Sequence, residues 1–104
     1  MTKTFNSTAT TVPTSEGDLY TAPSKSMTLL IQVVNTSSDA VTCELWITNA
    51  SNTHYACLIP SQSIAAYNGV TDTAKHVIPS GYKVRGTAGT SSVLYFEIST
   101  LEGL

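Results

Sequence analysis

The sequence predicts an all-β fold, a single antiparallel β-sandwich of jelly-roll or Ig-like type with an extended N-terminal arm. Three observations carry this. Short alternating or β-branched runs recur along the chain, each closed by turn residues, which suits a sandwich and not a parallel sheet. No window sets apolar residues at i, i+3, i+4 and i+7 behind a capping box, so nothing marks a helix. Hydroxyl residues dominate, with 17 Thr and 13 Ser among 104 residues and only 12% charged. Thr is β-branched and loses little in a strand.

Along the chain, residues 1–16 read as an N-terminal arm or edge strand and 17–104 as the sandwich domain. The arm is rich in Thr and Ser, with Phe5, Ala9 and Val12 as its only apolar anchors. Fixing each backbone residue costs about 1–2 kcal/mol, and three such side chains return only a few kcal/mol by burial. Backbone pairing must hold the arm, on its own sheet or on a neighbour's. The set Phe5, Ser7, Ala9, Thr11 makes a weak core-facing strand but an adequate clamp, which favours the neighbour.

Strands are expected at 18–22, 27–35, 40–49, 53–59, 62–67, 74–78, 82–88 and 92–101. Asn68-Gly69 is the sharpest turn signal, because a type I′ turn needs φ > 0 at both central residues. Pro79-Ser80-Gly81 is the next best. Parity marks the inside: Val41, Cys43, Leu45 and Ile47 in one run, Leu94, Phe96 and Ile98 in another, Met27, Leu29, Ile31 and Val33 in a third. Leu58, Ile64, Val77 and Val84 complete the expected core.

A chain of this length is one domain with one modest core. The net charge is −2, and Lys3, Lys25, Lys75, Lys83 and Arg85 are scattered. Phosphate-backbone binding therefore has no electrostatic footprint, and nucleic acid is not an expected partner. No apolar run approaches a membrane span. The opening MTKTFNSTATTV lacks the apolar region of a signal peptide, so folding in a reducing cytosol is expected. If the turn after Thr48 centres on Ser51-Asn52, Cys43 faces Pro60 and Cys57 faces Trp46. The sulfurs are then offset by roughly 10 Å along the strand, beyond the ~7 Å Cα limit for a disulfide. Two buried free thiols are expected.

The stretch Leu19 to Asn35, LYTAPSKSMTLLIQVVN, adds a resemblance. A short β run closed by Pro23, a turn at Ser24-Lys25-Ser26, a long apolar strand, the turn Asn35–Asp39 and the alternating run Val41–Thr48 follow one another. This order resembles small virion proteins of tailed phages, over about residues 19 to 101. It departs at Ser24-Lys25-Ser26, where such proteins often carry a glycine before the lysine. The resemblance implies a β-sandwich attached to a capsid or tail, located in the virion and without enzymatic activity.

The residues offer little chemistry of their own. His54 and His76 have no second ligand at zinc spacing. There is no Gly-x-Ser-x-Gly elbow, no glycine-rich phosphate loop, and the seven carboxylates are spread singly. No catalytic residue, metal or cofactor is expected. What stands out is apolar residues of the wrong parity: Trp46 beside Thr42 and Glu44, Tyr95 beside Glu97 and Ser99, Leu30 and Val34 beside Thr28 and Gln32. They either cover a second small core or anchor a partner, as Trp and Tyr commonly do. Phe5, Ala9, Val12, Leu30, Trp46 and Tyr95 form the candidate partner-binding set. The leading reading is a homo-oligomeric capsid decoration or cement protein, with the major capsid protein and copies of itself as partners. The alternative is a tail, neck or fibre-associated sandwich whose Trp46 and Tyr95 stack on carbohydrate. A host-derived extracellular adhesion domain is a further rival, disfavoured by the opening residues.

Overall fold

A computed structural model describes residues 2–104; Met1, the first residue of the expected arm, lies outside the described residues. The strands are β1 (Thr4–Thr11), β2 (Gly17–Thr21), β3 (Ser26–Asn35), β4 (Val41–Thr48), β5 (His54–Ile64), β6 (Gly69–Asp72), β7 (Val77–Ile78), β8 (Lys83–Ala88) and β9 (Leu94–Glu102). The described residues contain no helix. One sheet runs β1-β9-β3-β6, with β7 also on β3, and the other runs β2-β8-β4-β5; all pairs are antiparallel. Pairing β1 with β9, β2 with β8, β3 with β6 and β7, and β4 with β5 is one long hairpin rolled up, joined by β9–β3 and β8–β4. That is jelly-roll topology, and it decides between the two expected sandwich types.

The core lies between the sheets. Ile31, Val33, Leu94, Phe96 and Ile98 come from the first sheet, and Cys43, Leu45, Ile47, Ile59 and Val84 from the second, all buried. Gly86 on β8 leaves room for side chains of the two flanking strands of its own sheet: a Cβ there would stand 2.3 Å from Leu45 Cδ2 and 3.0 Å from Leu19 Cδ1.

The expected core needs correction at three places. A register shift between Thr28 and Leu30 reverses parity in β3, so Ser26 and Thr28 point inward with Ile31 and Val33, while Met27 and Leu29 are only half-buried. Thr28 is tolerated inside because its hydroxyl donates to Ala74 O and accepts from the His76 amide. In β7 the buried residue is Ile78, and Val77 is exposed. In β5 Ile59 is buried in place of Leu58, which is half-buried, while Ile64 is buried as expected.

Two expected strands, 53–59 and 62–67, are one strand. β5 runs through Pro60 because it lies at a sheet edge, where a missing N–H is tolerated. The Asn68-Gly69 signal is also displaced. The turn is Ala65–Asn68, closed by Asn68 N–H to Ala65 O at 3.1 Å, with Tyr67 at φ 57° and Gly69 already in β6. It crosses from one sheet to the other, so hairpin twist does not select its type. Pro79-Ser80-Gly81 behaves as expected: Tyr82 N–H reaches Pro79 O, and Gly81 takes φ 83°.

One edge of the arm pairs within its own chain, along β9. Thr4↔Glu102 through Thr11↔Tyr95 is an unbroken register that closes the side of β9 left open by β3. Val12 ends it, with its amide on Leu94 O and its side chain fully buried.

Candidate interaction surface

Register and burial together define the outer face of the β1-β9-β3-β6 sheet. Directly opposed residues point to one side, so four rows follow: Thr11–Tyr95–Val34–Gly69, Ala9–Glu97–Gln32–Thr71, Ser7–Ser99–Leu30 and Phe5–Leu101–Met27–Val77. Their inward neighbours Phe96, Ile98 and Thr100 are buried, which fixes these rows as the solvent side. Phe5 is 76% exposed, Tyr95 52% and Val77 49%, while Leu30, Val34, Met27 and Leu101 are half-buried. Glu97 is the only carboxylate in the rows, and no cation lies among them. A shallow hollow of about 360 Å³ opens beside Phe5, Ser7, Leu29 and Ser99.

The fold thus brings Phe5, Ala9, Leu30 and Tyr95 onto one face, across β1, β3 and β9. It does not bring Val12 or Trp46 there. Val12 has the parity of the inward-facing residues of β1 and belongs to the core. Met27, Val77 and Leu101 belong to the face but were missed by parity, because the β3 shift hides where Met27 points.

Trp46 sits on the outer face of the other sheet, half-buried. In register it lies between Arg85 on β8 and Cys57 on β5. His54 covers its ring, centroid to centroid 4.1 Å and 10° from parallel. Trp46 Nε1 is buried without a hydrogen-bond partner. His54 Nε2 meets Glu16 Oε1 at 2.7 Å, and Glu16 Oε2 accepts from Arg85 at 3.0 Å. Arg85 Nε donates to Asp18 at 2.7 Å, and Lys83 reaches Asp18 at 3.3 Å and Asn52 Oδ1 at 3.1 Å. The Arg85 hydrogen bond, followed by Lys83, holds the Asp18 carboxyl below its ordinary pKa despite some desolvation. This chain of contacts crosses all four strands and closes over Trp46. One face of the indole is thus taken by His54.

The remaining polar features are local. At the β1–β2 opening, a cleft of about 350 Å³ holds Glu102, whose Oε2 accepts from Tyr20, Asn6 and Thr100. Burial first, then Glu102, raises the Tyr20 phenol. Cys43 is buried and its thiol is pushed up to about 11 by desolvation and Glu44; Cys57 is exposed and not buried as expected, and both are free. Cys57 does oppose Trp46, but shifts in β5 set Cys43 against Gln62, further from Cys57 than a regular hairpin would. The described residues hold no group of three His, Cys, Asp or Glu able to share a metal ion.

No protein-family model matches the chain, and no curated protein matches it in sequence. Among solved structures, it is similar to a chain in the crystal structure of the T13 IBDV viral particle, with TM-score 0.52 and 8% identity. The likeness is one of fold. It covers 96% of this chain and 31% of the other, so the present chain spans about a third of the one it matches.

Proposed function

We propose that this protein is a non-enzymatic structural component of a virion, seated on the shell through the outer face of its β1-β9-β3-β6 sheet. The observation that carries the reading is this face itself: exposed Phe5, Tyr95 and Val77 with half-buried Leu30, Val34, Met27 and Leu101, on a jelly roll like that found in an icosahedral virus particle. Exposed aromatics on an almost uncharged face suit burial against a partner better than permanent hydration. The order of elements from Leu19 to Thr48 points to a tailed phage, and the expected role is capsid decoration or cement. Contacts of that kind bury about 1,600 Å² in total and stabilise the shell by mass action.

The test is binding of purified protein to isolated shells, with copy number counted by quantitative mass spectrometry. Hundreds of copies per particle are expected, and Tyr95→Ala should weaken binding by about 2 kcal/mol. A dozen copies or fewer would move the protein to the neck or tail. Undiminished binding by Tyr95→Ala and Phe5→Ala together would remove this face from the interface.

A further inference from the structure

The sandwich has four sheet edges, and three carry features that discourage pairing with another chain. β2 is short, irregular at Leu19 and charged at Asp18. β6 and β7 are four and two residues long. β5 is long, but Pro60 and three register shifts interrupt it. β1 has none of these: eight residues, TFNSTATT, with no charge, no proline and no shift.

The polarity of that edge follows from one bond. Val12 N–H donates to Leu94 O, so Val12–Leu94 is a hydrogen-bonded pair of the β1–β9 ladder. Opposed pairs alternate in an antiparallel ladder. Thr4, Asn6, Thr8 and Thr10 therefore direct their backbone groups to β9, and Phe5, Ser7, Ala9 and Thr11 direct theirs outward. No other backbone group of the described residues pairs with those four.

We propose that β1 pairs edge to edge with β1 of a second copy, antiparallel about a two-fold axis through Thr8, making one sheet continuous across a dimer. Odd residues must meet odd residues, and centring on Thr8 uses all four from each copy. Phe5 then opposes Thr11 and Ser7 opposes Ala9, with about eight hydrogen bonds in all. Thr8 meets its own copy, a favourable cross-strand pair, and exposed Phe5 gains the β-branched Thr11 with Tyr95 beyond it. A two-fold axis sets like against like, so a charged strand would repel itself and this uncharged one does not. The pairing uses the edge, whereas shell attachment uses the face, so either can fail alone.

Sedimentation should give twice the 11.0 kDa chain mass. Hydrogen exchange should show protected amides at Phe5, Ser7, Ala9 and Thr11, alongside the β9-facing ones. Ala9→Pro removes an outward N–H without touching the β9 ladder, and should weaken dimerisation at least about tenfold while the sandwich still melts cooperatively. Ser7→Lys, whose side chain lies on the solvent face, should do the same by flanking the axis with like charges. A monomer at about 1 mM, or a dimer indifferent to both substitutions, would overturn the proposal. Odd-residue amides protected only when shells are added would assign the edge to a shell subunit and reject self-pairing.

Discussion

Asn35→Ala should be among the most damaging single substitutions outside the apolar core. Asn35 ends β3 fully buried, and its Nδ2 faces three carbonyls: Asp39 at 2.8 Å, Ile64 at 3.0 Å and Ala65 at 3.3 Å. Its Oδ1 accepts from the Ser37 amide and hydroxyl at 2.9 and 2.8 Å. The side chain thus ties the β3–β4 connection to the end of β5 in the opposite sheet. Two N–H hydrogens and two accepted bonds make about four hydrogen bonds, each worth about 1 kcal/mol net. Ser37 and Asp39 lie near solvent, where water replaces part of the loss, which leaves about 2–3 kcal/mol. In a domain of this size that is a fall in Tm of roughly 10–20 °C. The isosteric Asn35→Asp should be worse at neutral pH, because it directs a carboxylate at three carbonyls. Its folded pKa would be raised above the ordinary unfolded value near 3.9, so its penalty should shrink as pH falls. Thermal and urea unfolding followed by circular dichroism at pH 7 and pH 4 measures both. A cost under about 1 kcal/mol for the Ala variant, or an Asp variant no worse than Ala at pH 7, would refute the hub.

Trp46→Ala should lower the stability of the isolated domain by about 1–3 kcal/mol through lost packing under His54; unchanged melting with lost shell binding would return Trp46 to the partner surface. In native protein near pH 8, a thiol alkylating reagent should add once, at Cys57, and twice only after unfolding, since Cys43 is buried and its thiol titrates near 11; two native adducts, or a two-dalton deficit in unreduced mass, would contradict the pair. Acid should destabilise the fold through Asp18 and Asp72. Desolvation alone would raise Asp72, but His76 and the Ala74 amide outweigh it, and both carboxyls sit below their ordinary pKa when folded. A depressed carboxyl contributes stability above its unfolded pKa and loses it as pH falls through the folded one, so the effect belongs below about pH 4. Asp18→Asn should flatten stability against pH in that window, and an unaltered profile would show that the Arg85 pair contributes nothing measurable.

The sequence by itself determined the class of fold, because class depends on short-range chemistry. Alternation in 41–48 and 93–100 places Cys43, Leu45, Ile47, Leu94, Phe96 and Ile98 inside without knowledge of their partners, and Pro79-Ser80-Gly81 makes its turn from its own dihedral preferences. Tyr95 was legible as an apolar residue on a polar side for the same reason, whereas Phe5 and Ala9 were legible only as apolar anchors of the arm. What only the tertiary structure decided depends on pairing across the chain. The shift at Thr28 turns Met27 and Leu29 away from the core because β9 sets the register there, and Thr28 is accepted inside only through Ala74 and His76, some 46 residues on. Parity placed Trp46 on the outer face of β4, but its cover, His54 held by Glu16, comes from elements that parity within β4 cannot see. The arm pairs with β9 because rolling the chain brings residues 4–11 and 95–102 together, and no local pattern in either segment encodes that meeting.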